Sequence, residues 1–323
     1  MLKAKQLFAS LILSALPLLP THAADSKAVT PERVIVGYAP GGATDVIARV
    51  LSRELSKNYS KPIVVENRPG AGGMIGAELL SRAKPDGSSL LMAYISEASI
   101  NKLVYKEMSY DPETDLVPIA RVATAPLILT TGPRLKVKSY QDLMEVKDRD
   151  EPFTYGSAGN GGQQHLAGEL LRIESGLNML HVPYRGSALA ATDVLAGQID
   201  MGFFSASPIL SNVREGKLNA LFIAGPERQS VLPDVPTAEE VGLPNFHLLT
   251  WFGVFGPRGM TPQVAQDLAG QVQAALTQPE VVETLSAQGL TPSYLPPTEF
   301  RRYIASEMQK YGQIVEKANI EKQ

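Results

Sequence analysis

The chain contains no cysteine. A disulfide framework and a thiolate nucleophile are therefore both excluded. After residue 23 no apolar run reaches the roughly 20 residues that span a bilayer, so this part of the chain is expected to fold in water. Internal repeats, low-complexity tracts and long charge blocks are also missing. No basic stripe offsets phosphate charge, which argues against a nucleic-acid partner.

What is present fits a globular protein. Apolar residues make up 44% and charged residues 20% of 323 positions, close to the soluble average, and the length favours two globular units. The first 23 residues differ from the rest. Lys3 and Lys5 give a positive start, Leu7 to Leu19 are mostly apolar, and Pro20-Thr21-His22-Ala23 ends the run with small residues at −3 and −1. This is the pattern of a secretory signal peptide over 1–23, so export to the periplasm with cleavage near Ala23 is expected. No cysteine follows that would take a lipid. Removing the segment leaves 28 basic against 33 acidic residues, a net charge of −5.

The remaining sequence alternates β-branched runs with amphipathic stretches. Arg33 to Tyr38 precedes Ala43 to Lys57, Pro62 to Glu66 precedes Gly73 to Ala83, and Ser89 to Ile95 follows. Such a rhythm predicts an α/β lobe with a parallel-rich sheet. After a Pro-punctuated passage from Asp111 to Pro133 it restarts, with strands expected at Phe153 to Gly156, Asn178 to Val182, Ile199 to Phe204 and Leu218 to Ala224. A second α/β lobe is implied. A strand from Thr250 and helices over Thr261 to Leu276, Pro279 to Gln288 and Pro297 to Ala318 would return to the first lobe. The expected division is 24–126 with 251–323 against 127–250, joined by two chain crossings, the return crossing lying somewhere in 225–252.

Ligands of open α/β sheets bind where strands end and helices begin. Three glycine-rich turns stand before expected helices: Tyr38 to Asp45, Asn67 to Gly76, and Tyr155 to Gln163. A helix N-terminus offers free N–H groups and about half a positive charge, and glycine lets an anion approach them. The first and third turns hold no Lys or Arg, so an anion there would meet amides and the hydroxyl or amide groups of Thr44, Ser157 and Asn160. The same glycines are also what tight strand-to-helix turns require by themselves.

Rival chemistries fit poorly. In the second turn Gly70 and Gly72 begin a dinucleotide fingerprint, but Ile75 occupies the place of the third glycine. Ser157 is not in a G-x-S-x-G elbow, because Tyr155 stands where the first glycine belongs. His165 and Glu169 lack a third metal ligand, and His181 reads as a hydrogen-bonded core residue. Neither a catalytic group, a metal nor a cofactor is expected. Arg185 either clamps a ligand carboxylate or pairs internally with an acid.

Taken in order, Tyr38-Ala39-Pro40-Gly41-Gly42-Ala43-Thr44-Asp45, Val65-Glu66-Asn67-Arg68-Pro69-Gly70-Ala71-Gly72-Gly73, Pro85-Asp86-Gly87, Tyr155-Gly156-Ser157-Ala158-Gly159, His181-Val182-Pro183-Tyr184-Arg185-Gly186 and Leu232-Pro233-Asp234-Val235-Pro236-Thr237 resemble the Bug family. These are the solute receptors of tripartite tricarboxylate transporters. The resemblance implies a type II periplasmic binding fold whose lobes close on a carboxylate held by backbone amides and bridging water. It places ligand contacts at Tyr38, Ala39, Gly41, Gly42, Ala43, Thr44, Asp45 and Ser96 in the first lobe. In the second lobe it places them at Ser157, Ala158, Gly159, Asn160, Gly161, Phe203 and Ser205, with Arg185 as a further candidate. Two departures from the family pattern occur, at Ser88-Ser89 and at Phe203-Phe204-Ser205, where an acidic residue is common. The second points away from a ligand amine. A membrane permease is the implied partner, a sensor kinase the alternative, and a monomer the expected state.

Overall fold

The computed structural model describes residues 29–322, so the expected signal segment, 1–23, lies outside the described residues. The first strand, β1 (Arg33–Val36), is a Val-Ile-Val run buried on both faces, as a central parallel strand requires. Helix α1 (Ala43–Ser56) turns Ile47, Val50, Leu51 and Leu55 onto that sheet. β2 (Val64–Asn67), α2 (Met74–Ser81) and β3 (Ser89–Tyr94) repeat the unit, and β2 and β3 flank β1 in parallel. A π-turn, Ser96–Ile100, leads into the short α3 (Asn101–Val104).

The chain then reaches the second sheet without a break. β4 (Leu116–Pro126) and β5 (Ile128–Thr131) are separated by Leu127 alone. The prolines of this passage suggest a connector, yet it contains two strands. Pro118 sits at a register shift, opposite Phe255, where a missing N–H does least harm to the ladder.

The second lobe contains α4 (Tyr140–Glu145), β6 (Phe153–Ser157), α5 (Gln163–Ser175), β7 (Met179–Pro183), α6 (Ser187–Leu195), β8 (Met201–Phe204), α7 (Leu210–Arg214) and β9 (Asn219–Ile223). The return strand β10 (Leu249–Pro257) precedes α8 (Pro262–Leu276), α9 (Pro279–Ser286), β11 (Thr291–Leu295) and α10 (Pro297–Lys317). Among the described residues one sheet runs β11-β4-β10-β3-β1-β2 and the other β7-β6-β8-β5-β9. Both are mixed rather than purely parallel. β10 is antiparallel to β3 and β4, and β5 is antiparallel to β8 and β9, because the strands that enter or leave a crossing arrive from the opposite end.

The two crossings lie side by side. Leu127 N donates to Leu248 O (3.4 Å), Ala224 N donates to Leu127 O (2.7 Å) and Leu248 N donates to Ala224 O (3.0 Å). Each lobe keeps its own aromatic packing: Trp251, Phe255 and Phe300 in the first, Phe203, Phe222 and Phe246 in the second. The described residues include no helix long and apolar enough to cross a membrane.

Candidate functional site

The turn after β1 is held from beneath by a buried carboxylate. Asp45 accepts from Gly41 N (3.1 Å), Arg49 Nε (2.9 Å) and Asn67 Nδ2 (2.9 Å), and Asn67 Nδ2 also donates to Tyr38 O (3.0 Å). Burial alone would raise the Asp45 pKa, but these bonds outweigh it and hold the carboxyl below its ordinary value. Asp45 therefore sets the turn. Gly41, at φ +92°, makes the bend. Gly42 caps α1 without any side-chain bond to the helix, so the first amides of α1 keep their hydrogen-bonding capacity for something else.

The turn after β6 is built by a different device. Ser157 is fully buried, and its hydroxyl donates to Gly159 O (2.8 Å) while His181 Nε2 lies 2.6 Å from Oγ. With the Ser157 proton on Gly159, His181 Nε2 is the donor. His181 stacks on His165 with centroids 3.9 Å apart. Burial, then the neighbouring His165, brings the His181 pKa down to about 3, so the ring is neutral at pH 7. His165 Nδ1 accepts from Gly161 N (3.0 Å), and Glu169 accepts from Tyr155 and Arg172. The described residues contain no cluster of three His, Cys, Asp or Glu that could hold a metal.

A third helix start completes the arrangement. α6 begins at Gly186, φ +150°, again with no side-chain cap. A Cβ on Gly42 would lie 3.7 Å from Ser187 Oγ, and one on Gly186 would lie 3.8 Å from Ala39 Cβ. The uncapped starts of α1 and α6 thus face each other across the space between the lobes. Between them is a cavity lined by Tyr38, Ala39, Gly42, Ala43 and Thr44, by Ala158, Gln164 and Gly186 to Leu189, and by Tyr94, Leu127, Ser205, Thr250 and Phe252. Its free volume is about 40 Å³, enough for a few waters. A larger solute enters only if the lobes part.

Beyond Tyr38 and Ala158 the crevice continues, lined by Gly70 to Gly73, Tyr105, Gly159, Asn160 and Arg185. Asn160 O accepts from Tyr105 (3.2 Å) across the lobes. Arg185 is exposed here, and among the described residues it has no carboxylate within ion-pair distance, so the internal pairing is not formed. Ser96 Oγ is buried without a partner and faces a void of about 10 Å³.

Of the residues expected at the site, the structure gathers Tyr38, Ala39, Gly42, Ala43, Thr44, Ala158 and Ser205 around one cavity. Gly159, Asn160 and Arg185 line the adjoining crevice. Asp45 and Ser157 lie behind the turns as braces, and Gly41 forms the exposed bend that Asp45 holds. Gly161 abuts the first lobe: at φ +70°, a Cβ there would fall 2.2 Å from Val104. Phe203 points away, stacked on Phe246 at 5.5 Å. The sequence places an element at Ser187 to Ala196, which is α6, but its start was not counted among the binding turns, although Arg185-Gly186-Ser187 carries the signal used elsewhere, a glycine just before a helix. Tyr94, Gln164, Leu127, Thr250 and Phe252 had no local signal.

A second buried acid lies under the cavity. Tyr38 donates to Glu97 Oε2 (2.9 Å) and to Gly72 O (3.2 Å), and Glu97 Oε1 is buried without a partner. Burial pushes the Glu97 carboxyl up to about 8, against the smaller lowering effect of the Tyr38 bond. The lobes are also joined at the cavity's edge. Gln163 Oε1 accepts from Tyr94 (2.8 Å) and Thr250 (2.6 Å), and its Nε2 donates to Tyr311 (2.6 Å).

The family model described as tripartite tricarboxylate transporter family receptor matches residues 47–320. BugT of Bordetella pertussis is 36% identical over 294 residues, covering 90% of each chain. A solved R. palustris protein with adipate superposes at a TM-score of 0.87 with 28% identity, over 91% of this chain and 98% of its own. MatC from Rhodopseudomonas palustris, solved with bound malate, gives 0.81 and 29%, over 88% and 98%.

Proposed function

Because this chain belongs to the tripartite tricarboxylate transporter receptor family, we propose that it is a periplasmic receptor that captures a small carboxylate and delivers it to a membrane permease. The observation that carries the reading is the pair of uncapped, glycine-started helices, α1 and α6, facing each other across one cleft. Their amides supply oriented donors and partial positive charge without a cationic side chain. The adipate and malate held by two relatives support a carboxylate as the solute class.

The lobes hinge at Leu127 and Leu248, and Leu127 also lines the cavity, so solute contact and hinge angle are physically linked. The protein acts as an exported monomer and catalyses nothing. Ser157 and His181 form a hydrogen-bonded pair, but Ser157 is fully buried and its hydroxyl serves the turn.

A thermal-shift screen of the chain from Ala24 onward, against a carboxylate library, tests this reading. A cognate solute at 100 times its Kd adds about 2.7 kcal/mol to stability, and no shift with any carboxylate would refute it. Arg185 gives a sharper discrimination. Exposed and outside the main cavity, it serves as a secondary contact, so Arg185→Gln should weaken binding by about 1 kcal/mol, whereas loss of a buried bidentate clamp would cost roughly 2–5 kcal/mol. Calorimetry on the folded variant separates the two.

A further inference from the structure

The carboxylate end of the cavity is accounted for by the reading above, on which this inference rests. The rest of the cavity has a chemistry of its own. No Asp, Glu, Lys, Arg or His is among the residues that line it. On the first-lobe side Tyr38, Tyr94 and Phe252 form a connected aromatic wall, with ring centroids 5.7 Å apart at each step. The facing wall, from the hinge and the second lobe, sets Leu127, Ala158, Ala188 and Leu189 beside the uncharged polar side chains of Gln164, Ser187 and Ser205.

The charged groups nearest the cavity are committed elsewhere. Asp45 is consumed by its turn, Glu97 is sealed behind the Tyr38 hydroxyl, and Arg185 stands exposed in the adjoining crevice. The starts of α1 and α6 face each other at the same end of the space, so they form one anion position rather than two separated ones. A second carboxylate would lie against rings, methyl groups and uncharged hydroxyl or amide groups, without a cation. An ammonium would lie there without an anion. In either case a charge loses its water and gains no partner.

We infer that the solute is a monoanion, with one carboxylate on an uncharged, largely apolar body, and that Leu189 helps to set this preference. Leu189 is 49% exposed at the rim of the cavity, so its identity alters the site with little demand on the fold.

The test uses hexanoate, adipate and 6-aminohexanoate, which share a six-carbon backbone and differ in the charge at the far end, together with benzoate. Calorimetry on the mature protein should find hexanoate or benzoate at least tenfold tighter than either adipate or 6-aminohexanoate. If adipate or 6-aminohexanoate binds as tightly as the monocarboxylates, or more tightly, the inference fails while the carboxylate-receptor reading stands. If none of the four binds, the inference fails, and the carboxylate-receptor reading then stands or falls on the wider carboxylate library. The variant Leu189→Arg places a cation against the apolar body and should move the hexanoate-to-adipate affinity ratio at least tenfold towards adipate. An unchanged ratio in a folded variant would mean that the solute body does not lie against Leu189 and would overturn the inference.

Discussion

Gln163→Ala is expected to weaken solute binding by about 30- to 1,000-fold, well beyond the loss expected for Arg185→Gln. Gln163 belongs to the second lobe and its three partners, Tyr94, Thr250 and Tyr311, to the first. All four side chains are buried. Removing the amide strands three hydroxyls in a space that water cannot fill freely, and each buried unpaired polar group costs about 1–3 kcal/mol. Partial rearrangement of the hydroxyls brings the total to about 2–4 kcal/mol. Parted lobes would wet the same groups, so the loss falls on the closed state and therefore on affinity. Titration calorimetry together with small-angle scattering checks this. Unchanged affinity and unchanged closure in the variant would show that the network is structural only.

A second large effect is expected at Glu97, and here the sign depends on pH. The folded-state pKa of about 8 lies above the ordinary 4.5 because the carboxyl is buried. Folding therefore favours the protonated form. That contribution is complete below about pH 4.5 and is lost as pH rises through about 8. Gln carries no charge at any of these values and keeps an acceptor for Tyr38. Glu97→Gln should thus match the parent at pH 4 and exceed it at pH 8.5 by on the order of 3 kcal/mol, after discounting the full shift for local relaxation. Urea unfolding at the two pH values measures the difference. Equal stabilities at pH 8.5 would mean that Glu97 is not held protonated. Since Tyr38 lines the cavity and touches Glu97, solute anions should also bind the parent less well above pH 8, and the variant should not show this decline.

Much of the fold was legible because its signals are local. The spacing of Ile47, Val50, Leu51 and Leu55 makes α1 readable, and the β-branched run at Val34 to Val36 does the same for β1. β4 was not legible. Pro118 and Pro126 argue for a connector, and only the register shift on β10 explains how the strand accommodates the first of them. The site divides along the same line. Glycine turns before helices located α1 and the β6 turn, but could not distinguish a residue that faces the solute from one that braces the turn. Asp45 and Ser157 brace their turns through Asn67 and His181, partners 22 and 24 residues away that no local pattern reveals. The Gln163 network is less legible still, its partners being 69, 87 and 148 residues distant. A sequence pattern records what a residue can bond, and only the packed lobes determine which partner it meets.

The central claim is that amides at two facing helix starts hold the solute carboxylate. The most direct measurement is the backbone amide NMR spectrum of the mature protein, titrated with the carboxylate that most raises its melting temperature. The largest perturbations should fall on the amides of Ala43, Thr44, Ser187 and Ala188, with little change at the Arg185 side chain. Perturbations centred on Arg185, or confined to residues outside the cleft, with those four amides unmoved, would contradict it.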